Sequence, residues 1–130
     1  MINQDRRRTL CVLVIDDNAD TVESTAIILR GRGFAVQTAQ SGLEALQLIH
    51  YQWPDVVFLD IGQSKLNGPE VAKLIRAQCG QNKKPFFVAL SGSGQEPDKL
   101  RSRAEGFDLH LVKPVKISEL AEHLFARLSA

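Results

Sequence analysis

The chain has 130 residues, 44% of them hydrophobic and 24% charged, with a formal net charge of +1. That composition fits one globular domain with a substantial core and argues against disorder. Near-neutral charge gives no field favouring nucleic acid or a membrane surface, and no apolar stretch approaches the roughly 18 residues of a membrane span.

Met1-Ile2-Asn3-Gln4-Asp5 does not read as a signal peptide, and Arg6-Arg7-Arg8 reads as part of a solvated, flexible tail over residues 1–8. The alternative for that basic run is a phosphate-binding arm. Leu10–Ile15 is the first strand-like run and ends in Asp16-Asp17. Val22, Ala26 and Leu29 then recur at helical spacing, with Asp20-Thr21-Val22-Glu23 as a capping signal and Gly31 as a stop. Phe34–Ala39 is a second strand, and Ser41-Gly42-Leu43-Glu44 opens a second helix. A third strand, Asp55–Asp60, precedes the capping signal Asn67-Gly68-Pro69-Glu70 and the helical positions Val71, Leu74 and Ile75, which stop by Gly80. Phe86–Ser91 is the fourth strand. The fourth helix, roughly Pro97–Glu105, ends at Gly106 and offers only Leu100 and Ala104 for burial, so it is either mobile or half of a partner surface. Leu109–Val112 is the fifth strand, and Leu120, Leu124 and Leu128 mark a last helix.

Strands alternating with helices five times predict an α/β domain with a parallel sheet and helices on both faces. The first, third and fourth runs are apolar almost throughout, as strands buried on both faces should be. Cys11 and Cys79 have neither metal-ligand spacing nor a disulfide pattern and read as reduced packing residues of a cytoplasmic protein.

Charge gathers at the carboxyl ends of these runs: Asp16 and Asp17 after the first, Asp60 after the third, Lys113 after the fifth. Open α/β sheets bind ligands at that edge, where the winding reverses. In the flavodoxin-like order 2-1-3-4-5 the first and third strands are neighbours about 4.8 Å apart, and the three acids meet. In the order 3-2-1-4-5 they would be about 10 Å apart. Only the first order makes a site, and it is the order we expect.

Three carboxylates at that range need a compensating cation. A hard divalent ion suits them: Mg²⁺, with Mn²⁺ as an alternative, commonly takes one or two carboxylates plus waters and a phosphate. Lys113 adds a point charge for an oxyanion, and Ser91 adds a hydroxyl. Metal, lysine and hydroxyl around a carboxylate describe phosphoryl transfer to aspartate. Taken singly, each residue has an ordinary explanation. Asp16-Asp17-Asn18 could be a helix-capping turn, Asp60 a turn residue, Lys113 a solvated charge and Ser91 a loop hydroxyl. Their joint placement at strand ends favours the site.

These residues resemble the receiver domain of two-component response regulators across essentially the whole chain. Val12-Leu13-Val14-Ile15-Asp16-Asp17-Asn18 is similar to its acidic first loop, and Phe58-Leu59-Asp60-Ile61-Gly62 to its phosphoacceptor strand. Ala89-Leu90-Ser91-Gly92 is similar to its switch hydroxyl segment, and Leu109-His110-Leu111-Val112-Lys113-Pro114 to its closing lysine-proline motif. The resemblance implies a domain over residues 9–130 with Asp60 as phosphoacceptor from a phosphohistidine on a histidine kinase or histidine phosphotransfer domain. It implies Mg²⁺ on Asp17, Asp60 and the backbone carbonyl of Gly62, with Asp16 acting largely through water. Lys113 would hold a phosphoryl oxygen across a cis Lys113-Pro114 peptide, and Ser91 would move toward the phosphate, drawing the fourth helix with it. An output domain or protein would read the surface of the fourth helix, fifth strand and fifth helix, in cis or in trans. A dimer formed on phosphorylation is a further partnership the family allows. Self-phosphorylation and autodephosphorylation are the only chemistry implied, without enzymatic turnover of a separate substrate. Ala-Leu-Ser-Gly-Ser-Gly-Gln resembles in particular receivers attached to hybrid histidine kinases.

The chain also departs from the family. Ser64 stands where a proline is usual, which implies a looser loop, and His110 stands where tyrosine or phenylalanine is common. His110 reads either as a gating imidazole or as an ordinary polar residue of an edge strand. A degenerate receiver acting only as an interaction module is weighed against by the intact set Asp16, Asp17, Asp60, Ser91 and Lys113. A phosphohydrolase or phosphomutase with an aspartate nucleophile would want a second acid where Gly62 stands. Nucleotide-binding glycine loops are absent from the first turn. His50 and His123 sit singly in helical segments and read as surface residues, not phosphodonors.

Overall fold

The computed structural model describes residues 9–61, 67–92 and 106–112. In chain order these form β1 (Cys11–Ile15), α1 (Ala19–Gly31), β2 (Ala35–Ala39), α2 (Gly42–Leu48), β3 (Val56–Asp60), α3 (Gly68–Ala77), β4 (Phe86–Ser91) and β5 (Leu109–Val112). All strand pairs are parallel, in the order β2-β1-β3-β4-β5. The expected order is the observed one, and every strand lies within one residue of its expected bounds. The expected tail over residues 1–8 and the expected fourth and fifth helices lie outside the described residues. No helix among the described residues is long and apolar enough to cross a membrane.

Sheet order explains the composition of each strand. β3 and β4 are buried along their whole length and β1 along all but Cys11, whereas the edge strands β2 and β5 are largely half-buried. Successive side chains leave opposite faces of the sheet. Val12, Val14, Val56, Phe58, Val88 and Leu90 therefore pack in one layer with Val22 and Leu29 of α1. Leu13, Ile15, Val57, Leu59, Phe87 and Ala89 pack in the other with Ala45 of α2 and Val71, Ala72 and Ile75 of α3. Winding reverses between β1 and β3, and their carboxyl ends open a crevice there.

Two local expectations are corrected. The N-cap of α1 is Asn18, whose side chain accepts from the Thr21 amide at 3.0 Å, and not Asp20. Asn18 is the last residue with extended dihedrals, and Asp20 lies in the first turn, where its charge complements the helix dipole. On α3 the buried stripe is Val71, Ala72 and Ile75, while Leu74 is 39% exposed. At about 100° per residue Leu74 falls on the flank of that stripe, and alanine is small enough to lie against the sheet. Ser41 and Asn67 cap α2 and α3 as expected, accepting from the amides of Glu44 and Glu70.

Aspartates also fasten the amino edge of the sheet. Asp55 Oδ2 accepts from the Cys11 amide at 2.8 Å, while the Asp55 amide donates to the Cys11 carbonyl. Asp108 repeats the device on β4: its Oδ2 accepts from the Phe87 amide, and its amide donates to the Phe87 carbonyl, both at 2.8 Å. Each acid thereby pairs a strand-entry amide that would otherwise face a partly buried edge. Asp108→Ala should lower stability by about 1–3 kcal/mol, the cost of stranding one such donor. Urea unfolding checks it; an unchanged midpoint would show that β5 does not depend on that clamp.

Candidate functional site

The site is built by the ends of β1, β3 and β4. β1 runs straight into Asp16, which is 1% exposed, and its amide donates to the Ala39 carbonyl at 3.1 Å, extending the β1–β2 ladder by one bond. The chain then turns sharply into α1, and Asp16 Oδ1 accepts from the Asn18 amide at 3.0 Å. Asp17, at the turn, is exposed. Asp60 is the last residue of β3, only 6% exposed, and pairs in register with Leu90 of β4. One ligand oxygen from each of Asp16, Asp17 and Asp60 falls within 4.8 Å of the others. The three acids expected to converge do converge.

Three carboxylates gathered at this range repel one another. Two of the three are buried, so water compensates them poorly. An all-oxygen, all-carboxylate set fits a hard divalent cation and offers nothing to a thiophilic one. The three differ in availability. Asp16 is partly committed to the turn it stabilises, whereas Asp17 is exposed and Asp60 ends a fully buried central strand.

The family model of the response regulator receiver domain matches residues 12–125. The chain belongs to that family. It is 33% identical over 117 residues to the DNA-binding response regulator MtrA of Mycolicibacterium paratuberculosis, covering 90% of this chain and 50% of MtrA. The receiver thus spans about half the length of the curated relatives it matches. Among solved structures it resembles a response regulator from Chloroflexus aurantiacus, with a TM-score of 0.80 and 28% identity, covering 95% of this chain and all of that one. It also resembles the receiver domain of Saccharomyces cerevisiae Ssk1, solved with the histidine phosphotransfer signalling protein Ypd1, at a TM-score of 0.76 and 26% identity. That likeness covers 90% of this chain and 87% of that one.

Of the other residues expected at the receiver's site, Ser91 ends β4 and is 4% exposed. Its Oγ lies 2.7 Å from His110 Nε2 on β5. Lys113, Gly62, Pro114 and the Ser64 loop lie outside the described residues. His50 is exposed just past α2, as expected of a surface residue, and His123 lies outside the described residues. Cys11 and Cys79 are both half-buried and free of disulfides.

Two features close to the site were not read from sequence. One is the Ser91–His110 contact. The other is Gly68, whose place in a capping motif hid a packing role. A Cβ at Gly68 would lie 2.8 Å from the Asp60 carbonyl oxygen and 3.0 Å from Ile61 Cγ2. The start of α3 therefore rests against the backbone at the end of β3, and only glycine permits that approach. Gly68→Ala should destabilise the fold by about 1–3 kcal/mol through overpacking and displace Asp60 as it does so. Thermal unfolding and Asp60 labelling should fall together. A variant with normal stability and labelling would show that the strand end relaxes freely.

Proposed function

We propose that this receiver, over residues 9–130, accepts a phosphoryl group from phosphohistidine onto Asp60. The observation that carries the reading is the convergence of Asp16, Asp17 and Asp60 within 4.8 Å at the crevice between β1 and β3. An Asp60 carboxylate oxygen attacks phosphorus, a P–O bond forms, the P–N bond to imidazole breaks, and the imidazole leaves with the bonding pair. Asp60 is held for this by the all-buried strand behind it. Bound Mg²⁺ would sit on Asp17, Asp60 and the Gly62 carbonyl, with Asp16 assisting through water, and would neutralise the cluster and the incoming oxygens. Lys113 is proposed to hold one phosphoryl oxygen, with the peptide that follows it to Pro114 proposed to be cis, and the Ser91 hydroxyl a second.

Movement of Ser91 toward the phosphoryl group would shift the face carrying β5 and the segments around it, giving an output domain or partner protein a state to read. The donor is proposed to be a histidine kinase or a histidine phosphotransfer domain, a pairing that the solved complex of the Ssk1 receiver with Ypd1 supports by likeness. Covalent labelling tests the reading. Acetyl phosphate with Mg²⁺ should add one phosphoryl group to the chain by intact mass, and no addition under saturating conditions would remove it.

A further inference from the structure

Ser91 lies between two claimants. Asp60 pairs with Leu90, so Ser91 begins just beyond the acceptor's own level on the neighbouring strand. On the opposite flank, β5 pairs Ala89 with His110 and Ser91 with Val112. Ala89 and Ser91 leave the same face of β4, so His110 is the diagonal neighbour of Ser91 on that face, within reach of a long side chain. The contact made is short, 2.7 Å from Ser91 Oγ to His110 Nε2, between a hydroxyl 4% exposed and a half-buried ring.

A serine hydroxyl has one hydrogen to donate, and a neutral imidazole has one nitrogen that donates and one that accepts. Phosphoryl oxygens only accept. If His110 Nε2 accepts, the single Ser91 hydrogen is spent on β5 and cannot reach a phosphoryl oxygen on Asp60. If Nε2 carries the proton, the Ser91 hydrogen is left for the phosphoryl group. We infer that His110 is a positioning residue of the switch, its Nε2 accepting the Ser91 hydroxyl in the resting receiver and competing with the phosphoryl group for that one hydrogen. The inference rests on the phosphoacceptor reading of Asp60. Phenylalanine, one of the residues common at this position, could offer no such competition, so His110 gives this receiver a threshold that a phenylalanine there would not.

The experiment uses the 130-residue chain with nitrogen-15 labelled histidine, Mg²⁺ and beryllofluoride as the phosphoryl analogue. At rest the His110 signal, identified by its loss in His110→Phe, should show Nε2 as an unprotonated, hydrogen-bonded acceptor. Beryllofluoride should move that signal toward an imidazole lacking the bond. In Ser91→Ala the signal should start near that position and move little. His110→Phe should bind beryllofluoride roughly two- to tenfold more tightly, the net worth of one neutral hydrogen bond, while His110→Gln, which keeps an acceptor, stays near wild type. A protonated Nε2 at rest, an unmoved His110 signal when the analogue is bound, or weaker binding by His110→Phe would each overturn the inference. If beryllofluoride leaves the amides around Asp60 unchanged in a uniformly nitrogen-15 labelled wild-type chain, the phosphoacceptor reading itself fails, and the inference with it.

Discussion

Asp60→Asn abolishes labelling by acetyl phosphate: the phosphorylated fraction, read by intact mass or a phosphate-affinity gel, falls by on the order of a hundredfold or more, as deletion of a nucleophile does. The substitution nearly preserves volume and leaves β3 buried, so the loss is chemical and the unfolding midpoint stays close to wild type. An amide oxygen is far less nucleophilic than a carboxylate and cannot form a stable acyl phosphate. Asp16→Asn and Asp17→Asn share the crevice and serve as controls. They should weaken labelling by weakening the cation site, and extra Mg²⁺ should recover part of it for Asp17, which is exposed at the turn. Asp16 should recover less, because it is 1% exposed and its Oδ1 holds the turn into α1. Unchanged labelling of Asp60→Asn would assign the phosphoryl group elsewhere.

Removing Mg²⁺ with a chelator should suppress labelling of the wild type by roughly a thousandfold. A phosphoryl donor brings negative charge to a crevice already holding three carboxylates whose oxygens lie within 4.8 Å. One pair of unit charges at about 4 Å costs about 4 kcal/mol at an effective dielectric of about 20. That alone is close to three decades in rate. Adding Mg²⁺ should restore labelling, and Mn²⁺ should substitute. Labelling that survives chelation would mean that another positive charge neutralises the site, and Lys113 would be the residue to vary next.

Most of the fold was legible because the sheet order assigns each strand a distinct burial. Continuous apolar runs such as Val56-Val57-Phe58-Leu59 suit central strands of a parallel sheet, and the mixed run Ala35–Ala39 suits an edge. The acids of the site were legible because each follows directly on such a run, so that strand order alone decides whether they meet. What sequence could not supply was side-chain direction and close approach. Asp55 and Asp108 are aspartates beside strands too, yet they serve the opposite edge as clamps for the Cys11 and Phe87 amides. Gly68 looked like part of a cap because its missing Cβ matters only once α3 is laid against Asp60. The Ser91–His110 bond depends on the β4–β5 register, a one-residue choice that periodicity does not make. Arg76 is a similar case. It stacks over the Phe87 ring at 4.7 Å and donates to the Gly106 carbonyl, tying the end of α3 to the entry of β5. Gly106 has φ +91, and a Cβ there would meet the Arg76 guanidinium at 2.5 Å, so a residue read only as a helix stop also makes room for that tie.

The most direct measurement traps the labelled residue. Borohydride reduces an acyl phosphate to an alcohol and leaves phosphate esters and free carboxylates intact, so reduction after labelling with acetyl phosphate and Mg²⁺ converts the acceptor aspartate to homoserine. Peptide mass mapping should find that conversion at Asp60 alone. Conversion at Asp16 or Asp17, or a stable phosphate on Ser91 with none at position 60, would contradict the account.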